Sequence, residues 1–251
     1  MHSKVISVFI TQITFQNALS EIISLAVSRV SCFACFVNAH MVVEAWDSLS
    51  FNDDLKKARF RFADGMPIAK AMSLIHGKKQ ERIAGMDFLE PLLASMNSMK
   101  LRLFIFGGSQ TMLEEAKKRI EIDYPEISLS GLLSPSFGEW SEAETTQYLD
   151  EIKAANPNIV LVILGCPKQE KFMARHYMEI PAPLLGLGGA LPTFLNLQKR
   201  APKWMQFLML EWIYRLIQEP NRLWRRYFYT NLKFIWLFFT TFHQSRSTSA
   251  I

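Results

Sequence analysis

Only three cysteines occur in 251 residues, and the two that lie close together, Cys32 and Cys35, sit inside an apolar run where a strand would point them to opposite faces. No second pair completes a zinc site, so buried thiols in a reducing compartment are the expectation. The first residues, MHSKVISVFI, lack the basic region and long apolar stretch of a secretion signal; they read as a first strand, and export is not expected. The longest late apolar run, Phe234 to Phe242, is broken by two threonines and falls short of the roughly 20 residues that span a bilayer. The chain is expected to lie on a membrane rather than cross it. Internal repeats, low-complexity segments and His, Asp or Glu spacings typical of a divalent-metal site are also missing.

Acidic residues are scarce in one place. Residues 199–251 carry nine Lys or Arg against Glu211 and Glu219 alone, a net of +7 that leaves residues 1–198 at −2. The same stretch holds 13 of the 31 aromatic residues, including four of the six tryptophans. Cationic charge coupled to large amphipathic side chains fits a membrane surface or nucleic acid. Because the charge is interleaved with bulky apolar residues, as on interfacial helices, the membrane is favoured and nucleic acid is not an expected partner.

What is there in abundance is alternation. Short β-branched and aromatic runs (Val5 to Ile10, Cys32 to Val37, Leu101 to Phe106, Ile127 to Leu132, Ile159 to Leu164, Leu184 to Leu187) are separated by segments of helical period near 16–28, 111–122, 142–155 and 169–178. This predicts an α/β fold, a Rossmann-like, mostly parallel sheet flanked by helices. From Lys199 the pattern changes to two or three basic, aromatic helices broken at Pro202 and Pro220. We therefore divide the chain into an α/β catalytic domain, 1–198, and a helical appendage, 199–251.

Two strands end in glycine where a helix follows, LFIFGGSQ and LVILGCPKQE, an arrangement that lets a phosphate approach backbone N–H groups. A third segment, LLGLGGALP, lacks the third glycine of a dinucleotide fingerprint, and Pro192 interrupts the next turn, so a dehydrogenase is not indicated. Asp64 in FADGMP lies near a strand end beside Gly65; a carboxylate there is either a general base or a cap for the helix that follows. Asn38 and His40 follow the strand Cys32 to Val37 and are placed to meet a ligand or to satisfy a turn. In ERIAGMD, Asp87 reads as a helix N-cap and Arg82 as free to bind an anion. Lys168 and Gln169 open a helix, where charge, amide and backbone dipole can converge on a diphosphate, or simply stand in solvent. Arg215, Arg222 and Arg226 would share one face of a continuous helix, with Arg225 beside them, although Pro220 should bend it.

Taken in order, FVNAHMVVEA, FADGMP, ERIAGMDFLEPLL, LFIFGG, NIVLVILGCPKQEKFMAR, GLGGALPTF and RAPKWMQFLMLEWIYRLIQEPNRLWRRY resemble the WecG/TagA/CpsF glycosyltransferases, glycosyltransferase family 26. The resemblance implies an inverting, metal-independent transfer, with no cofactor, from a UDP-sugar to an undecaprenyl-diphosphate-linked sugar in surface or exopolysaccharide synthesis. It implies a peripheral position at the cytoplasmic face of a bacterial inner membrane, a C-terminal segment that docks there and closes the site, and further copies of the chain as possible homo-oligomer partners. It matches Asp64 to a general base, Asn38, Arg82 and Gln169 to pocket positions, and Arg215, Arg222 and Arg225 to arginines that hold the UDP phosphates. Phe36 stands where many members have threonine, and Pro67 where many have a second glycine. N-acetylmannosamine, its uronic acid and glucose are the expected donor sugars. An inactive lipid-binding protein is the alternative, and retention of Asp64, Arg82 and Gln169 argues against it.

Overall fold

The computed structural model describes residues 2–77, 79–207 and 210–248. The expected first strand is two short ones: β1 (His2–Val5) and β2 (Val8–Thr11) form an antiparallel hairpin outside the main sheet. Its turn is built on Ile6 at φ +56 rather than on glycine or asparagine, which is why residue type did not reveal it. The hairpin is fastened by buried Arg61, whose Nε donates to the Phe9 carbonyl at 2.5 Å and whose Nη1 donates to the carbonyls of Leu55 and Ala58.

After α1 (Phe15–Val27), capped by the Thr14 hydroxyl, comes β3 (Cys32–Val37), buried along its whole length. A strand with no polar face must be covered on both sides, which is the signature of the middle of a parallel sheet. The chain continues through α2 (Ala39–Asp47), α3 (Leu49–Lys57), β4 (Phe60–Ala63), α4 (Met66–His76), α5 (Gly85–Ser98), β5 (Arg102–Gly107) and α6 (Gln110–Asp123). Then follow β6 (Ser128–Leu133), α7 (Glu142–Ala154), β7 (Ile159–Ile163), α8 (Lys168–His176), β8 (Pro183–Gly186) and α9 (Ala190–Phe194). The sheet has six strands, all parallel, in the order β4-β3-β8-β7-β5-β6.

Side-chain alternation divides the core in two. Phe33, Cys35, Val37, Phe104, Phe106, Val160 and Val162 pack with α2, α3, α4, α7 and α8. Cys32, Ala34, Phe36, Phe62, Leu103, Ile105 and Leu161 pack with α1, α5, α6 and α9 on the other face. The three-layer α/β/α arrangement is therefore the one expected from the alternation in sequence, and Cys32 and Cys35 do point to opposite faces.

The C-terminal stretch forms α10 (Lys203–Phe207), α11 (Glu211–Gln218) and α12 (Pro220–Thr248). Pro220 opens α12, so Arg215 lies on a different helix from Arg222 and Arg226 and the three do not share one continuous face. α12 packs against α2 and α4, with Phe234 and Leu237 buried in the first of the two core clusters. No helix among the described residues is long and apolar enough to cross a membrane.

Candidate active site

The carboxyl ends of β3, β4, β7 and β8 open into a cavity of about 550 Å³, roofed by α11 and the first half of α12. The sheet supplies Asn38, Asp64, Gly165, Gly188 and Gly189 to its wall; the helical segment supplies Glu211, Arg215, Tyr227, Thr230 and Asn231. Strand ends collect polar groups because the loops leaving them are the first backbone not committed to sheet hydrogen bonds.

Asp64 follows the last residue of β4, and its N–H donates to the Val37 carbonyl at 2.9 Å, which extends the β3–β4 ladder to the cavity floor. The helix behind it starts at Met66 with Gly65 as N-cap, at φ +92 and with no side-chain cap bond, so Asp64 does not serve as a cap. An L-residue at Gly65 would be strained, and that strain would shift Asp64. Burial pushes the Asp64 carboxyl up from 3.8 to about 7; Glu211 and Asp87 push the same way, while Arg215 and Arg82 oppose them. A carboxyl of this kind changes protonation near neutral pH, as a general base must.

Arg82 is not free, as the sequence suggested. Its Nη2 donates to Asp87 Oδ2 at 2.5 Å, and its Nη1 contacts Glu211 Oε2 at 3.4 Å. Asp87 is not an N-cap either: α5 begins at Gly85 after Ala84, and Asp87 lies in its first turn, paired with both Arg82 and Arg200. Arg200 also donates to Gln206, whose amide donates to the Ala201 carbonyl at 2.7 Å. The network ties the C-terminal segment to the cavity. Arg215 lines the cavity near Gly189 and donates to the Met86 sulfur at 3.0 Å.

Asn38 caps α2, its side-chain oxygen accepting from Met41 N–H at 3.1 Å, and His40 stands in the first turn; both line the cavity. Gln169 is 5% exposed, and its Oε1 accepts from the N–H groups of Gly165 and Gly188, both at 3.2 Å. Lys168 is not brought to the cavity. Its ammonium donates to the Gly138 carbonyl at 2.5 Å and lies 3.7 Å from the centre of the Trp140 ring. Arg225 is exposed, near the neighbouring Trp224 ring, and is not among the lining residues; the side chains of Arg222 and Arg226 lie outside the described residues. Phe36 forms an apolar wall, packed on Phe62 and Phe88 at centroid separations of 5.3 and 5.4 Å.

Glu211, Gln206 and Arg200 were not singled out from sequence. The signal for Glu211 was its rarity: 199–251 contains two acids, and both Glu211 and Glu219 line the cavity. Among the described residues, no group of three His, Cys, Asp or Glu is placed to hold a metal ion.

The family model described as Glycosyl transferase WecG/TagA/CpsF family matches residues 3–248. An N-acetylglucosaminyldiphosphoundecaprenol N-acetyl-β-D-mannosaminyltransferase of Bacillus subtilis (strain 168) is 35% identical over 199 residues, 79% of this chain and 75% of its own length. The protein of that name from Bacillus spizizenii (strain ATCC 23059 / NRRL B-14472 / W23) is 32% identical over 195 residues, 77% and 74% of the two chains.

Proposed function

Because the chain belongs to the WecG/TagA/CpsF family of glycosyltransferases, we propose that it moves an N-acetylmannosaminyl unit from a UDP-sugar to a lipid-diphosphate-linked sugar, with Asp64 as general base. That it is a glycosyltransferase follows from membership. The observation that carries the residue assignment is Asp64 itself, a carboxyl poised at about 7 on the floor of a strand-end cavity, opposed by Arg82 from the sheet side and Arg215 from the C-terminal side.

The steps balance as an in-line displacement. The Asp64 carboxylate takes the proton from the acceptor hydroxyl as that oxygen attacks the anomeric carbon, and the C–O bond to the diphosphate breaks with its electrons leaving on the UDP oxygen. The carboxyl then releases its proton to solvent. Charge gathering on the leaving diphosphate is met by the Arg215 guanidinium and by the positive end of the α8 dipole. Arg82, already bound to two carboxylates, holds the loop before α5 and the C-terminal segment in place and moderates the charge felt by Asp64.

The membrane role of the appendage rests on α12. Leu223, Thr230, Phe234 and Leu237 turn inward, whereas Trp224, Phe228, Tyr229, Leu232, Ile235, Trp236 and Phe239 are exposed. A helix apolar on both sides that is covered on only one fits an interface between protein and lipid. The exposed face carries a groove of about 430 Å³ lined by Phe228, Tyr229, Leu232, Lys233 and Trp236. Docking there would bring the cavity to a lipid-linked acceptor.

The test is product formation, followed by mass spectrometry, from a panel of UDP-sugars and a short-chain lipid-diphosphate N-acetylglucosamine acceptor, with and without excess EDTA. Transfer from UDP-N-acetylmannosamine, undiminished by EDTA, is expected. Transfer from another UDP-sugar instead would overturn the donor assignment. Activity that EDTA abolishes and magnesium restores would overturn the charge-neutralising role given to Arg215.

A further inference from the structure

Glu170 has no exposed surface, yet no cation is paired with it among the described ion pairs. Its Oε1 accepts from Gln169 Nε2 at 2.7 Å; its Oε2 meets no donor at full hydrogen-bonding geometry, and the Cys166 and Cys35 thiols and the residue's own backbone N–H are the other groups near the carboxyl. A buried carboxyl with no cation beside it and the Gln169 amide as its one well-formed side-chain partner is costly to keep. Its neighbour shows what it holds. The Gln169 amide has one orientation that serves the site, with Oε1 towards the N–H groups of Gly165 and Gly188, the turns that follow β7 and β8. Nε2 must then point the other way, where Glu170 Oε1 is the acceptor. The fit is close on all sides: a Cβ at Gly188 would come within 2.6 Å of Gln169 Oε1, and one at Gly186 within 2.9 Å of Nε2.

Building on the glycosyl-transfer reading of the cavity, we propose that Glu170 is a positioning residue, which through the Gln169 amide locks the two glycine turns that form the donor side of the cavity wall. The interaction does not require charge on Glu170, since either a neutral or an ionised carboxyl presents an oxygen to Nε2. What it requires is an acceptor at that point, because without one Nε2 is left unpaired in the interior and the amide is free to turn over, setting its NH2 against the glycine N–H donors.

The experiment compares Glu170→Gln, Glu170→Leu, Gln169→Glu and the double swap Gln169→Glu with Glu170→Gln. Transfer kinetics, UDP binding by calorimetry and thermal melting are measured for each. Misplaced turns should cost Glu170→Leu about 10²-fold in kcat/KM, with weaker UDP binding, on the scale of a roughly 1 Å displacement of binding groups. Glu170→Gln, which keeps an acceptor oxygen, should retain most activity. Gln169→Glu should lose it by setting two carboxyls together, and the double swap should regain it, because residue 169 still accepts from both turns and residue 170 now donates. If Glu170→Leu folds and transfers like the parent, or the double swap is no better than Gln169→Glu alone, the clamp is wrong. Should Glu170→Leu fail to fold, the swap decides. If the parent enzyme itself transfers no sugar yet binds UDP, the proposed reaction fails while calorimetry still tests the clamp.

Discussion

Asp64→Asn is expected to remove transfer and to make the folded protein more stable, two effects that seldom coincide unless a residue is kept for chemistry. The rise from 3.8 to about 7 measures how much less favourable the ionised carboxyl is in the cavity than in water, and each tenfold step is worth about 1.4 kcal/mol, so at pH 8 the ionised group costs at most about 4 kcal/mol. An amide of the same shape bears no charge, and part of that cost should return as stability, which in a chain of this size amounts to several degrees in Tm. The gain should shrink towards zero as pH falls to about 4, where both states hold the proton. In the transfer assay, wild-type kcat/KM should rise about tenfold per pH unit up to about 7, as the carboxyl becomes able to accept a proton. The variant should lack this limb and run about 10²–10⁴-fold slower. Because Glu170 is still present in the variant, loss of the limb assigns it to Asp64. Activity within a few-fold of wild type, or a lower Tm at pH 8, would refute the reasoning.

The remaining expectations follow from the same geometry. Asp64 and Glu170 both have carboxyls raised to about 7 by burial, so their contribution to stability is fully present below their unfolded values and is lost as pH climbs through 7; chemical unfolding should show stability falling by about 1.4 kcal/mol per unit for each group between about pH 5 and 7 and levelling off above. A profile that rises over this range would contradict the burial of both. Arg215→Ala should cost about 10²-fold or more in kcat, on the scale of a lost charge-stabilising donor, whereas Arg225→Ala, whose side chain faces outward, should change transfer to a soluble acceptor little; the reverse order would move the phosphate site onto α12. Replacing Phe228, Trp236 and Phe239 by Ser should weaken flotation with anionic liposomes while sparing activity on a soluble acceptor. Phe234 is a poor choice for that experiment because it is buried in the core, and its replacement would test folding instead.

Much of the architecture was legible because it rests on local pattern. CFACFV and IVLVI have no polar face, so they had to lie inside a sheet covered on both sides, and the helical segments between them required parallel crossovers. Asp64, Asn38, the glycine turns and Gln169 could be placed at the cavity for the same reason, since each follows a strand that the pattern reveals and strand ends are where a parallel sheet leaves backbone uncommitted. What was misread depended on side-chain contacts that the pattern does not show. Arg82 looked free, but Asp87 of the same motif takes its Nη2 and Glu211, 129 residues later, meets its Nη1; Lys168, read either as a phosphate ligand or as standing in solvent, has its ammonium on the Gly138 carbonyl and the Trp140 ring. The hairpin at Ile6 was hidden because its turn is buried and tied by the Ser7 hydroxyl to the Val42 carbonyl of α2, rather than made by turn-forming residues. The sequence by itself determined a mostly parallel sheet with helical crossovers and the carboxylate at a strand end, because periodicity and backbone satisfaction are local requirements; the strand order came from the tertiary structure. Only the tertiary structure decided the state of that carboxylate, because desolvation and the opposing charges of Arg82, Arg215 and Glu211 exist only once the C-terminal helices have closed over the strand ends.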